Sequence, residues 1–128
     1  MDRDTLLRRV MAQTGLDELE ADKAMRAVLF VLADVVSRDE VHDMASQLPK
    51  EFRDLLMGRL GQAGPVQRMN WQAFVGRVQS DLGLDSFEKA ERITLAVFSA
   101  LKEAVSPGEM EDVLAELPVE LKQPLLSA

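Results

Sequence analysis

Few residues in this chain have types that carry chemistry. His42 is the sole histidine, and it stands in the stretch Arg38-Asp39-Glu40-Val41-His42-Asp43. An imidazole beside carboxylates is the start of a general base or of a metal site. Either role needs several more groups to converge on it. The plainer expectation is a solvated helix residue, because the matching position in the second half of the chain is Glu111. Two charges recur in both halves, Arg9 with Arg77 and Asp43 with Asp112. They read either as a duplicated binding site or as an arginine–carboxylate brace from the first helix to the third within each half. The brace is the favoured reading, worth ~0.5–1 kcal/mol if exposed.

The seven methionines suggest a soft ligand pocket or an adaptable surface. Met11, Met25, Met44 and Met110 fall on apolar stripes and are expected in the core. Met57, Met69 and Trp71 flank a connector and, with Phe30, form the candidate interaction patch. The chain has no cysteine, so thiolate catalysis, thiolate metal sites and disulfides are excluded. No glycine-rich loop follows a strand, and no nucleophile–base pair is visible. The expectation is therefore no catalytic residue, no cofactor, no metal and no enzyme.

The elements that would position these groups come in two copies. Shifted by 68 or 69 positions, the chain matches itself. Leu6-Leu7-Arg8-Arg9-Val10 lies over Phe74-Val75-Gly76-Arg77-Val78, Gly15-Leu16-Asp17 over Gly83-Leu84-Asp85, and Leu48-Pro49 over Leu117-Pro118. Apolar residues recur at helical spacing, and the matched positions are largely helix starts and stops. The pattern predicts an all-α fold of two tandem four-helix repeats, packed into one compact helical domain with a pseudo-twofold relation. Residues 1–58 form the first repeat, 59–70 a connector and 71–128 the second.

Gly15 has the place of a left-handed residue after a first helix. Asp17 and Asp85 are expected to cap the second helices, with Glu20 and Glu88 three positions on. Ser37 and Ser106 cap the third helices, with Glu40 and Glu109 as capping-box partners. Asn70 caps the helix that opens at Trp71. The second helix, with its run Val28-Leu29-Phe30-Val31-Leu32, is oily all round, and such helices are usually enclosed. The longest apolar run, from Ala27 to Val36, is interrupted by Asp34.

Each "Leu-Pro-x-Glu" is a helix–helix corner. Proline disfavours the α conformation in the residue before it. Leu48 and Leu117 should therefore end the third helices and occupy the N-cap slot of the fourth. Pro49 and Pro118 would then sit at the first helical position, and Glu51 and Glu120 at the third, near the positive helix end. Pro124 should break or kink the last helix.

With 128 residues, 47% of them apolar, the chain can bury a real core. Its net charge is −7, and both halves are acidic, without a lysine–arginine cluster. That charge suits neither phosphate backbones nor anionic lipid surfaces. No segment has the apolar length to span a bilayer, and no secretory signal is evident. A soluble cytoplasmic protein is expected.

The two units with "Gly-Leu-Asp", a central "Ala-Val…Leu" helix, "Ser-x-x-Glu" and "Leu-Pro-x-Glu-(Phe/Leu)" resemble a bacterial family known as domain of unknown function 2267. The resemblance covers nearly the whole chain. It implies a duplicated all-helical fold and no particular activity. The expected role is a non-enzymatic interaction or scaffold module that binds another protein or itself. The alternative is a carrier or sensor of a small apolar ligand in the helical bundle.

Overall fold

In the computed structural model, which describes residues 1–62 and 64–128, the described residues form eight helices and no strand. They are α1 (Arg3–Thr14), α2 (Glu18–Val35), α3 (Arg38–Ser46), α4 (Lys50–Leu60), α5 (Trp71–Leu82), α6 (Phe87–Ala104), α7 (Pro107–Glu116) and α8 (Val119–Ser127). Ala63, within the expected connector 59–70, lies outside the described residues. Among these residues no helix is long and apolar enough to cross a membrane.

Local chemistry fixes most of the boundaries. Gly15 and Gly83 end α1 and α5 in left-handed conformation, with φ of 75° and 65°, where a β-carbon would be strained. Asp17 accepts from the Glu20 N–H at 2.8 Å, and the Asp17 N–H donates to the Glu20 carboxylate at 3.0 Å, closing a full capping box on α2. Asn70 accepts from the Ala73 N–H at 2.8 Å and caps α5.

The second copy departs from expectation here. Asp85 does not cap α6. Ser86 does, accepting from the Lys89 N–H at 3.1 Å. The first half has Glu18 at the matching position, too long to cap its own helix, whereas Ser86 offers a short hydroxyl one residue later and takes the role.

The corners are also shifted by one residue. Pro49 and Pro118, not Leu48 and Leu117, are the N-caps of α4 and α8, with extended ψ of 150° and 158°. Their carbonyls accept from Phe52 and Arg53, and from Leu121 and Lys122, at 2.9–3.0 Å. Glu51 and Glu120 thus fall at the second helical position, exposed, and no side chain caps either helix. A proline at the N-cap has no N–H, so the donor that a capping-box glutamate would satisfy does not exist. Leu48 and Leu117 are the buried pivots of the corners. Pro124 does not break α8. It removes the one bond to the Glu120 carbonyl, while Leu121 and Leu125 on either side are buried and hold the helix down.

The halves interlock. α1 packs on α6 as well as on α2, and α5 packs on α2 as well as on α6. α2 is thereby covered by α1, α4, α5 and α6, and its Met25, Val28, Leu29 and Val31 are wholly buried. Phe74 and Phe98 meet edge to face at 5.5 Å in the core, and Trp71 stacks on Phe74 at 6.1 Å.

This interlocking overturns the expected braces. Arg9 does not reach Asp43, nor Arg77 Asp112. Arg9 pairs with Glu103 at 2.6 Å and Arg77 with Asp34 at 3.0 Å. Each first helix lies on the long helix of the other half, so each arginine finds its carboxylate there. Asp34 and Glu103 are themselves matched positions of the two copies.

Asp34 does more than its counterpart. Its carboxylate accepts from Arg59 at 2.7 Å as well as from Arg77, and its carbonyl accepts from the Gln67 N–H at 2.7 Å. One residue on α2 therefore ties down α4, the connector and α5. Replacing it, as Asp34→Ala, removes two charge-assisted bonds at a half-buried site and should cost about 1.5–3 kcal/mol. Urea unfolding would read this as a lower midpoint at unchanged slope. A midpoint within error of wild type would show that the clasp carries no stability.

Candidate functional site

The site begins with two serines. Ser37 and Ser106 start α3 and α7, each accepting from the N–H of the glutamate three residues on, Glu40 at 3.2 Å and Glu109 at 3.1 Å. In an ordinary capping box the glutamate side chain would return to the serine N–H. Here it does not. The Ser37 N–H donates to Glu116 at 2.6 Å, and the Ser106 N–H donates to Gln47 at 2.6 Å. The Ser37 hydroxyl adds a bond to the second Glu116 oxygen at 2.9 Å. Glu116 closes α7 and Gln47 follows α3, so each helix start is capped by the far end of the other helix. Gln47 and Glu116 are again matched positions.

Relieved of the capping role, Glu40 and Glu109 turn into the α3–α7 seam and face each other. They are only 8% and 7% exposed. Oε1 of each is buried without a hydrogen-bond partner. Asp43, one turn beyond Glu40 and exposed, joins them: carboxylate oxygens of Glu40, Asp43 and Glu109 all lie within 4.8 Å of one another. Among the described residues no lysine or arginine pairs with Glu40, Asp43, Glu109, Asp112 or Glu116.

Two effects compete at Glu40. The positive end of α3 favours its anion. Burial opposes the anion, and the facing Glu109 opposes it further, with Glu116 and Asp112 adding negative charge. Opposition wins, and Glu40 is pushed up to about 8. Two ionised carboxylates here would leave both buried oxygens unsatisfied. A proton held between them, or a cation, resolves the conflict.

The sequence matches the family described as uncharacterized conserved protein (DUF2267) over residues 3–123. The chain belongs to that family. No curated protein matches it.

Other positions of this DUF2267 chain singled out above fall elsewhere. His42 is exposed, its Nδ1 3.6 Å from Asp43 on its own helix, and it is not one of the three clustered ligand groups. Met57, Met69 and Trp71 do not form an exposed patch. They pack against the core, and the Trp71 indole donates to Glu91 at 2.6 Å. A lone tryptophan with a partner for its N–H is a packing anchor. Phe30 is half-buried, with the Arg59 guanidinium 4.9 Å from its ring.

Sequence reasoning gave Glu40 and Glu109 only a capping role. The signal that could have found them was their identity in both copies. A residue near the meeting line of two repeats can touch its own counterpart.

The pair makes stability depend on pH. Glu40 holds its proton more tightly folded than unfolded, where its value is the ordinary 4.5. The folded chain thus carries more protons between those values, and stability falls as pH rises from about 4.5 through about 8. Glu40→Gln should flatten this slope and raise the melting temperature at pH 8, measured with a chelator present. An unchanged slope would mean that the pair does not share a proton.

Proposed function

We propose that the chain is a non-enzymatic, cytoplasmic interaction module made of two tandem four-helix repeats, related by a local twofold that passes between Glu40 and Glu109. Reciprocal contacts support the repeat arrangement. Arg9 to Glu103 is mirrored by Arg77 to Asp34. Ser37 to Glu116 is mirrored by Ser106 to Gln47. Helix lengths run 12, 18, 9 and 11 residues in α1–α4 and 12, 18, 10 and 9 in α5–α8.

The observation that carries the interaction reading is a groove between α2 and the end of α5. It is open to solvent, about 570 Å³ in volume, and lined by Lys23, Arg26, Ala27, Phe30, Asp81 and Leu82. Phe30, Ala27 and Leu82 give it apolar surface, Lys23 stands at its edge, Arg26 is paired with Asp22 at 2.7 Å, and Asp81 faces them from α5. The occupant that fits is an amphipathic helical segment of a partner protein, its apolar face laid on Phe30, Ala27 and Leu82. The ligand-carrier reading has weaker support. The more enclosed hollow beside Asp34 is about 30 Å³, against the roughly 300 Å³ or more that a small-molecule site needs.

The test places a photo-cross-linking residue at Leu82 in the native host. A partner adduct should form, and Phe30→Asp should reduce it at least about tenfold, since a charge in the floor opposes an apolar anchor. Leu126→Asp, exposed on α8, should leave it intact. An adduct unaffected by Phe30→Asp, or no adduct at all, would remove the groove from consideration. An adduct of twice the chain mass would replace the partner with a second copy.

A further inference from the structure

We propose that the α3–α7 seam binds one hard divalent cation, of the calcium or manganese kind, through Glu40, Glu109 and Asp43. This goes beyond the interaction reading and does not depend on it.

The geometry suits an ion. Oxygens that share a cation at about 2.4 Å can be no further apart than about 4.8 Å, and one oxygen from each of the three carboxylates meets that limit. The donor set is all carboxylate oxygen, which selects hard ions over zinc or copper. Acidic residues alone would be a weak argument, because exposed carboxylates gather on many surfaces without an ion. Two of these three are different. Glu40 and Glu109 are removed from solvent, each has a buried oxygen without a hydrogen-bond partner, and the two carboxylates lie within 4.8 Å of each other. Nothing in the fold demands acids there. The serine N–H groups that they would ordinarily satisfy are already taken by Glu116 and Gln47.

The surrounding charge points the same way. Asp112 and Glu116 lie near enough to act on Glu40. Among the described residues no lysine or arginine pairs with any of the five acids, and only the exposed His42 lies beside one of them, Asp43 at 3.6 Å. A cation at the seam would supply the missing positive charge and join the two halves at one point. Asp43 is exposed, so the ion would keep water on that side. With three protein carboxylates and an open flank, affinity should fall between micromolar and millimolar, on the order of 10⁻⁵–10⁻³ M.

The experiment is calorimetric titration of the full chain with Ca²⁺, Mn²⁺ and Mg²⁺ at pH 7.5, paired with thermal unfolding in chelator and in excess ion. The expected result is one site per chain. The melting temperature should rise by ~5–10 °C at an ion concentration about a hundred times the dissociation constant. Glu40→Gln and Glu109→Gln should weaken binding at least tenfold while remaining folded in chelator, as far-ultraviolet circular dichroism would check. Asp43→Asn, on the exposed side, should weaken it less, and Glu120→Gln not at all. Two results would overturn the proposal: no saturable binding of any of the three ions up to about ten times the weakest expected dissociation constant, ~10 mM, or binding that persists unchanged in both Glu40→Gln and Glu109→Gln. The second would assign the heat to the acidic surface at large.

Discussion

A helix whose apolar surface is wider than one neighbour can cover must be enclosed by several, and α2 imposes that condition on the whole chain. The first half of the chain offers α1 and α4. The remaining flank needs α5 and α6, which belong to the other half. The halves consequently cannot sit side by side as two closed bundles. They interlock, with each first helix lying on the other half's long helix, and the ion pairs follow that exchange. Asp34 is the point where the demand for burial meets the demand for polar partners. A carboxylate in so oily a run would be costly alone. Two arginines make it tolerable, and they pin α4 and α5 to α2 in the process.

Helix existence and number were legible in the sequence because they rest on local rules. Periodic apolar residues, Gly15 and Gly83 in left-handed turns, and the caps at Asp17, Ser37, Asn70 and Ser106 depend on neighbours within a few positions. The misreadings at Asp85 and at the two Leu-Pro corners are slips of one residue, each between two adjacent groups able to start a helix. Single-residue choices of that kind are settled by small energies that a spacing rule does not resolve.

The partners of Arg9 and Arg77 were not legible, and neither was the meeting of Glu40 with Glu109. These are contacts between residues 69, 43 and 94 positions apart. A repeat found by sliding the chain along itself shows which residues correspond. It does not show whether corresponding helices pack within a copy or across copies. The assumption that braces close within each half was the natural one, and the exchange of α1 and α5 defeats it. The interaction patch failed for a related reason. Met57, Met69 and Trp71 flank a connector in sequence, yet the connector is drawn onto α2 through Gln67, and the three side chains are partly buried against the core.

The two halves match in sequence at the seam where α3 meets α7, and that has a consequence. The matched residues Glu40 and Glu109 are placed against each other. An alanine or leucine there would meet its like without penalty, and a serine or asparagine could donate and accept in turn. Glutamate is the costly choice, because two carboxylates repel and neither can donate without a proton. At Ser37 and Ser106 the chain has already solved the capping problem by other means, through Glu116 and Gln47. The two glutamates therefore persist at the seam without serving the helix starts beside them. Buried groups that lower stability and serve no structural partner concentrate where a protein binds or switches. The α3–α7 seam meets that condition and His42 does not, its imidazole being exposed and near only a carboxylate of its own helix.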